Sequence, residues 1–180
     1  MGSFEPAVTF LLHNEGGLVE SPNDPGGITN MGISFRFLKS IDTKQLQMYG
    51  LYGEPSEQMI RDLNIQQATK LYYGEFWQHA PFDMIRNQDL CNYLFDAAVH
   101  MGIAPAIKCA QRACWSVFNN KDNLPDDGIL GGQTLHCMNL NDDVFSALRS
   151  ERAGDYRVIV SLHPEQKEFI NGWLDRAYNR

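Results

Sequence analysis

Glu15-Gly16-Gly17-Leu18-Val19-Glu20-Ser21-Pro22-Asn23-Asp24-Pro25-Gly26-Gly27-Ile28-Thr29-Asn30-Met31-Gly32-Ile33 is the stretch whose reading decides the fold. An amphipathic segment leads into it. Phe4, Val8, Leu11, Leu12 and Glu15 share one face of a first helix, with Ser3 placed to cap it and Gly16-Gly17 placed to end it. Pro22, Pro25, Gly26, Gly27 and Gly32 then destroy the helical period, while the apolar pieces Leu18-Val19, Ile28 and Ile33 alternate with them. That alternation predicts a small β-hairpin or wound loop. Glu15 therefore ends a helix on its apolar side, directly before a turn-rich loop. A carboxylic acid partly withdrawn from water is suited to donate a proton. Asp24 follows in a polar loop, and Thr29 adds a hydroxyl. Two carboxyl groups in contrasting settings are what glycosidic cleavage requires: one protonates the leaving oxygen, the other stabilises the oxocarbenium-like centre or helps position water.

Outward from this block the pattern is mostly helical. Ser34 can cap a helix carrying Phe35, Leu38 and Ile41, and Tyr49 to Pro55 reads as a Gly and Tyr loop. Ser56 starts a short helix, and Asn64-Ile65-Gln66-Gln67 resembles a capping box for another that runs to Trp77. Ala80-Pro81 breaks the chain before a strongly apolar helix over residues 87–101, which Gly102 stops. Pro105 sits early in the next helix, residues 119–132 form a polar turn-rich loop, and helices over about 142–162 and after Pro164 complete the fold. The expected class is a mostly α helical bundle with a small hairpin after the first helix, in two packed lobes, 1–90 and 91–180.

Composition narrows the function. The net charge is −7 and neither half of the chain is basic, so nucleic acid and an anionic membrane surface are not expected partners. No apolar run is long enough for stable membrane insertion, and no secretory signal is legible at the N-terminus, so synthesis in the cytoplasm is expected. Cys91, Cys109, Cys114 and Cys137 lack CxxC spacing and read as small buried thiols. The five histidines show no HExxH or other metal spacing. Neither a metal nor an organic cofactor is expected, and there is no GxSxG.

The block from Glu15 to Ile33 resembles the signature of the glycoside hydrolase family 108 muramidases: EGG, then P-x-D-x-GG-x-T-x-x-GI. Tyr72, Phe76 and Trp77 continue the likeness. In the second half Gln111, the Asp127-Gly128-x-x-Gly131-x-x-Thr134 turn, Arg149, Arg152 and Gly172-Trp173-Leu174-x-Arg176 resemble the peptidoglycan-binding region that follows in that family. One departure is His100-Met101-Gly102, where Asn-Ser-Gly is expected. The resemblance implies a lysozyme-like fold, with residues 1–90 as the catalytic lobe and 91–180 as a helical peptidoglycan-binding-like lobe. It implies a monomeric N-acetylmuramidase acting on peptidoglycan glycan strands in the wall or periplasm, with Glu15 as catalytic acid. Asp24 and Thr29 carry over from the similar Glu–Asp–Thr spacing of phage-type lysozymes. Without a signal peptide, such an enzyme is expected to depend on a holin-like export partner or another route across the membrane, for lysis or for release of other proteins.

Substrate contacts can be proposed from residue type. Tyr49 and Tyr52, in a glycine-flanked loop, are expected at the surface for stacking on sugars, whereas Phe76 and Trp77, also candidates for stacking, suit the core better by their helical spacing. Asn30 suits N-acetyl and hydroxyl recognition. Gln111, Asp127 and Thr134 either bind glycan or muropeptide or build a tight interhelical turn. Asp96, if buried, needs a cationic partner, for which Arg149 and Arg152 are candidates. Two other activities fit the same residues: a lytic transglycosylase, which needs one Glu and leaves a 1,6-anhydro end, and a wall-binding module without activity.

Overall fold

The computed structural model describes residues 1–20, 27–119 and 123–178. Helix α1 (Phe4–Asn14) buries Ala7, Val8 and Leu11. Ser3 stands at its N-cap position, but its side chain makes no capping bond. Instead the Gln88 amide clamps the Ser3 backbone, accepting from its N–H at 2.8 Å and donating to its carbonyl at 3.0 Å. The helix closes when the Glu15 N–H donates to the Leu11 carbonyl, with Glu15 itself already extended.

The hairpin is as small as a sheet can be. Strands β1 (Thr29–Asn30) and β2 (Ile33–Ser34) pair antiparallel, and Val19 bridges Thr29 from the other side. Met31 and Gly32 make the turn with positive φ at both positions, 48° and 77°. This is the backbone of the tight hairpin turn that matches strand twist. Asn30 is buried, and its amide donates to the Ile60 carbonyl at 3.0 Å, which ties the hairpin to α4 (Glu57–Arg61).

Short capped helices surround it. Ser34 caps α2 (Phe35–Leu38) as expected, but the helix stops before Ile41. The reason is that Asp42 opens a new helix, α3 (Thr43–Met48), by accepting the Lys44 N–H. Ser56 caps α4, and Asn64 and Gln67 form the full reciprocal capping box of α5 (Ile65–Glu75). The expected run to Trp77 ends two residues early, because Phe76 leaves helical geometry and Trp77 falls in a 3₁₀ turn.

The centre is α6 (Gln88–Met101), capped by Asn87 and buried along its length from Leu90 to Ala98. It packs on α1 and on α7 (Ile103–Phe118). Gly102, at φ 96°, makes the break between α6 and α7. After α8 (Gly132–Met138), the long α9 (Asp143–Leu162) lies along α7, and α10 (Ile170–Tyr178) returns against α9. One hydrophobic core runs from Ala7 to Leu148. Phe4, Trp77, Phe82 and Phe95 meet inside it with ring centroids 5.3–5.9 Å apart. A smaller cluster of Ala153, Tyr156 and Ala177 joins α9 to α10. The described chain is thus mostly α with a two-stranded hairpin, and none of its helices is long and apolar enough to cross a membrane.

Candidate active site

Four elements meet at Glu15. The end of α1 presents its carboxylate, which is 14 % exposed. The hairpin turn lies over it: a Cβ on Gly32 would stand 2.5 Å from Glu15 Cδ, 2.6 Å from its Oε2 and 2.6 Å from the Tyr72 hydroxyl. Only glycine lets the turn come this close. From α5, the Tyr72 hydroxyl donates to the Met31 carbonyl at 2.6 Å and so holds the strained turn in place. Burial, then the negative charge of Glu15, push the Tyr72 phenol far above its ordinary range, so it stays a donor.

The fourth element is α10. Arg176 Nη2 donates to Glu15 Oε1 at 2.6 Å and to Asp96 Oδ1 at 2.7 Å, while its Nε donates to Asp96 Oδ2 at 3.1 Å. Asp96 is fully buried. It also accepts a hydrogen bond from Asn14 at 3.2 Å and pairs with the equally buried Arg152 at 2.8 Å. Burial alone would push the Asp96 carboxyl up, but the hydrogen bond and charge of Arg176, with the charge of Arg152, outweigh it and hold the group below its ordinary value. The order is therefore a buried carboxylate fixing a guanidinium, which in turn fixes Glu15 by one oxygen. Among the described residues nothing hydrogen-bonds to Glu15 Oε2, the oxygen on the Gly32 side.

The remaining sequence candidates fall in different places. Asp24 lies outside the described residues. Thr29 is partly buried in β1, its hydroxyl 3.4 Å from the Gly27 carbonyl. The Asn30 amide is spent on α4 rather than turned to a cleft. Tyr49, expected at the surface, is 7 % exposed, because the turn at Gly50 carries it inward, where its hydroxyl donates to Glu75 at 2.7 Å. Tyr52 is 76 % exposed and borders a surface pocket with Ser56, Gln58 and Gln67. Trp77 is buried and stacks on Phe82. Gln111 and Thr134 are buried and joined to Asp127: the Gln111 amide donates to Asp127 at 2.8 Å and to the Thr134 hydroxyl at 3.2 Å, and accepts the Gly128 N–H. Asp127 also accepts the Ile129 N–H, so the three side chains knit the turn before α8.

Arg176 was not foreseen as the partner of Glu15. Asp96 was expected to need a cation and Arg152 supplies one, whereas Arg149 stacks on Phe145 at 4.4 Å. Among the described residues no three of His, Cys, Asp and Glu converge as a metal would require.

A mostly helical scaffold, with a helix-end carboxylate beneath a hairpin tip, defines a lysozyme-like glycoside hydrolase. The glycosyl hydrolase 108 family model matches residues 8–102, and the chain belongs to that family. Peptidoglycan hydrolysis is the general activity that this membership supports. The whole fold is similar to the solved structure of Brucella abortus SagA, at 24% identity and a TM-score of 0.65, covering 98% of this chain and 94% of that one. At that identity the likeness is one of fold. A comparison with curated proteins finds no match.

Proposed function

We propose that the chain is an N-acetylmuramidase that cleaves the β-1,4 bond between N-acetylmuramic acid and N-acetylglucosamine, with Glu15 as general acid. The observation that carries this is the asymmetry of the Glu15 carboxylate. Oε1 is held by Arg176, and Oε2 lies under the hairpin turn without a hydrogen-bond partner among the described residues. In the proposed step Glu15 gives its proton to the leaving glycosidic oxygen as the oxocarbenium-like centre develops. Thr29 helps place the attacking water, and Asp24 stabilises the positive centre. Residues 1–90 serve as the catalytic lobe and residues 91–180 as the lobe that grips peptidoglycan. The enzyme acts on the wall as a monomer, after passage through a holin-like pore or another export route, to open it for lysis or for release of other proteins.

The test is digestion of purified sacculi by wild type and Glu15→Gln, with products reduced and weighed. Reducible muramic acid ends from wild type, and turnover at least about a hundredfold lower in the variant with wall binding retained, support the assignment. Ends that are 1,6-anhydro would replace it with a lytic transglycosylase. Binding without any cleavage would leave a wall-binding module.

A further inference from the structure

A cavity of about 700 Å³ opens between α1 and α10 and plays no part in the reaction above. Phe10, Asn14, His100, Trp173, Asp175 and Arg176 are among its walls. Its size is that of a small-molecule site. Glu15 is not among its walls, so Arg176 stands between the cavity and the catalytic carboxylate.

The protons in this cavity can be assigned from the hydrogen bonds around it. Arg152 Nε can only donate, and it donates to the Tyr156 hydroxyl at 2.9 Å. Among the described residues His100 Nδ1, also at 2.9 Å, is the one acceptor within reach of the buried Tyr156 proton, so Tyr156 donates to it. Burial, then the charges of Arg176 and Arg152, push the His100 imidazole down to about 3, so the ring is neutral. A neutral ring that accepts at Nδ1 carries its hydrogen on Nε2. His100 thus offers a fixed N–H donor on its far side, and that nitrogen has no partner among the described residues. The Trp173 indole packs edge-on to the same ring at 5.9 Å, and its own N–H is likewise without a partner among the described residues. Asp175 in the lining disfavours an anion, because the charge of Arg176 is already matched by Glu15 and Asp96, and the donors disfavour a plain hydrocarbon. A neutral ring with a carbonyl acceptor and hydroxyls answers all three features.

Resting on the muramidase reading, we propose that this cavity is a second sugar site. It takes an N-acetylated hexosamine ring of the same glycan class, with the acetamido carbonyl on His100 Nε2–H and a ring hydroxyl on the Trp173 indole N–H, since Phe169 and Tyr156 already pack on the indole.

The test is a titration of the full ¹⁵N-labelled chain with the N-acetylglucosamine disaccharide, read at the indole and imidazole N–H signals. The Trp173 and His100 signals are expected to move together. The indoles of Trp77, which is buried, and Trp115, which already donates to the Leu124 carbonyl, are expected to stay. His100→Phe keeps the aromatic edge and removes the donor, and should weaken binding about tenfold. Should that variant fold poorly, the wild-type signals decide alone. Shifts confined to Gly32 and Tyr72, or no shift at all, overturn the site. Sacculus digestion by wild type is run in parallel. Hydrolysis without cavity shifts sinks the second site alone, whereas cavity shifts without hydrolysis sink the enzymatic reading and keep the site.

Discussion

Glu15 and Arg176, from opposite ends of the chain, are joined by a 2.6 Å ion pair whose guanidinium is itself fixed by the buried Asp96. The arrangement lets α10 set the position of a carboxylate that belongs to α1. Arg176→Lys keeps one charge but cannot span both carboxylates with a planar fork. Turnover of sacculi by that variant should fall about a hundredfold with binding little changed, because small displacements of a catalytic group carry costs of that order. Arg176→Ala should also lose about 3 kcal/mol in urea unfolding, since Asp96 is then left with Arg152 as its one cationic partner. A Lys variant with wild-type kcat would show that Arg176 does not position Glu15.

The hairpin tip makes a second prediction. Gly32→Ala asks an L side chain to adopt φ 77° and to occupy space within 2.5 Å of Glu15 Cδ. It should cost about 1–2 kcal/mol of stability and most of the turnover. Gly53→Ala separates the two effects. Gly53 has φ 96° with nothing within 4 Å, so it bears the backbone strain without crowding the carboxylate. Equal activity losses in the two variants would remove the special role given to Gly32.

Much of this was legible in the sequence, and the exceptions have physical causes. Helix ends governed by local chemistry were readable: Ser34, Ser56 and Asn64 all cap where their side chains predict. Ser3 fails because a side chain far along the chain, Gln88, reaches its backbone. The turn that closes over Glu15 was visible in its glycines, whereas the pairing of Glu15 with Arg176 was not. Spacing along a helix says which residues share a face, but not which distant helix will meet that face. Tyr49 misled for a related reason: a glycine-flanked loop reads as surface, yet the turn carries this ring under Gln45 and Glu75.

Asn30 allows its two roles to be told apart. Its amide bonds to α4 at 3.0 Å, so Asn30→Ala should cost about 1–3 kcal/mol by orphaning the Ile60 carbonyl. If anchoring is its whole task, the folded variant measured well below its melting temperature retains the wild-type KM. A raised KM with unchanged stability would return Asn30 to the substrate.

Acid should destabilise the fold in two steps, and the first belongs to His100. Its folded pKa is about 3 against about 6.5 when unfolded. The unfolded chain therefore takes the proton first. Stability tied to the neutral ring is complete above about pH 6.5 and is lost as the pH falls from there toward 3. From pH 6 to pH 4 this single group should remove about 2 kcal/mol. Asp96, held below its ordinary value, acts in the same direction but later. Its contribution is complete above about pH 4 and is lost as the pH falls through the folded value. His100→Gln can still accept the Tyr156 proton but does not titrate. Urea midpoints of that variant should be flat between pH 6 and pH 4.5 where wild type declines, and the two should fall together only below about pH 3. Parallel curves across the whole range would mean that His100 is not held neutral between the two arginines.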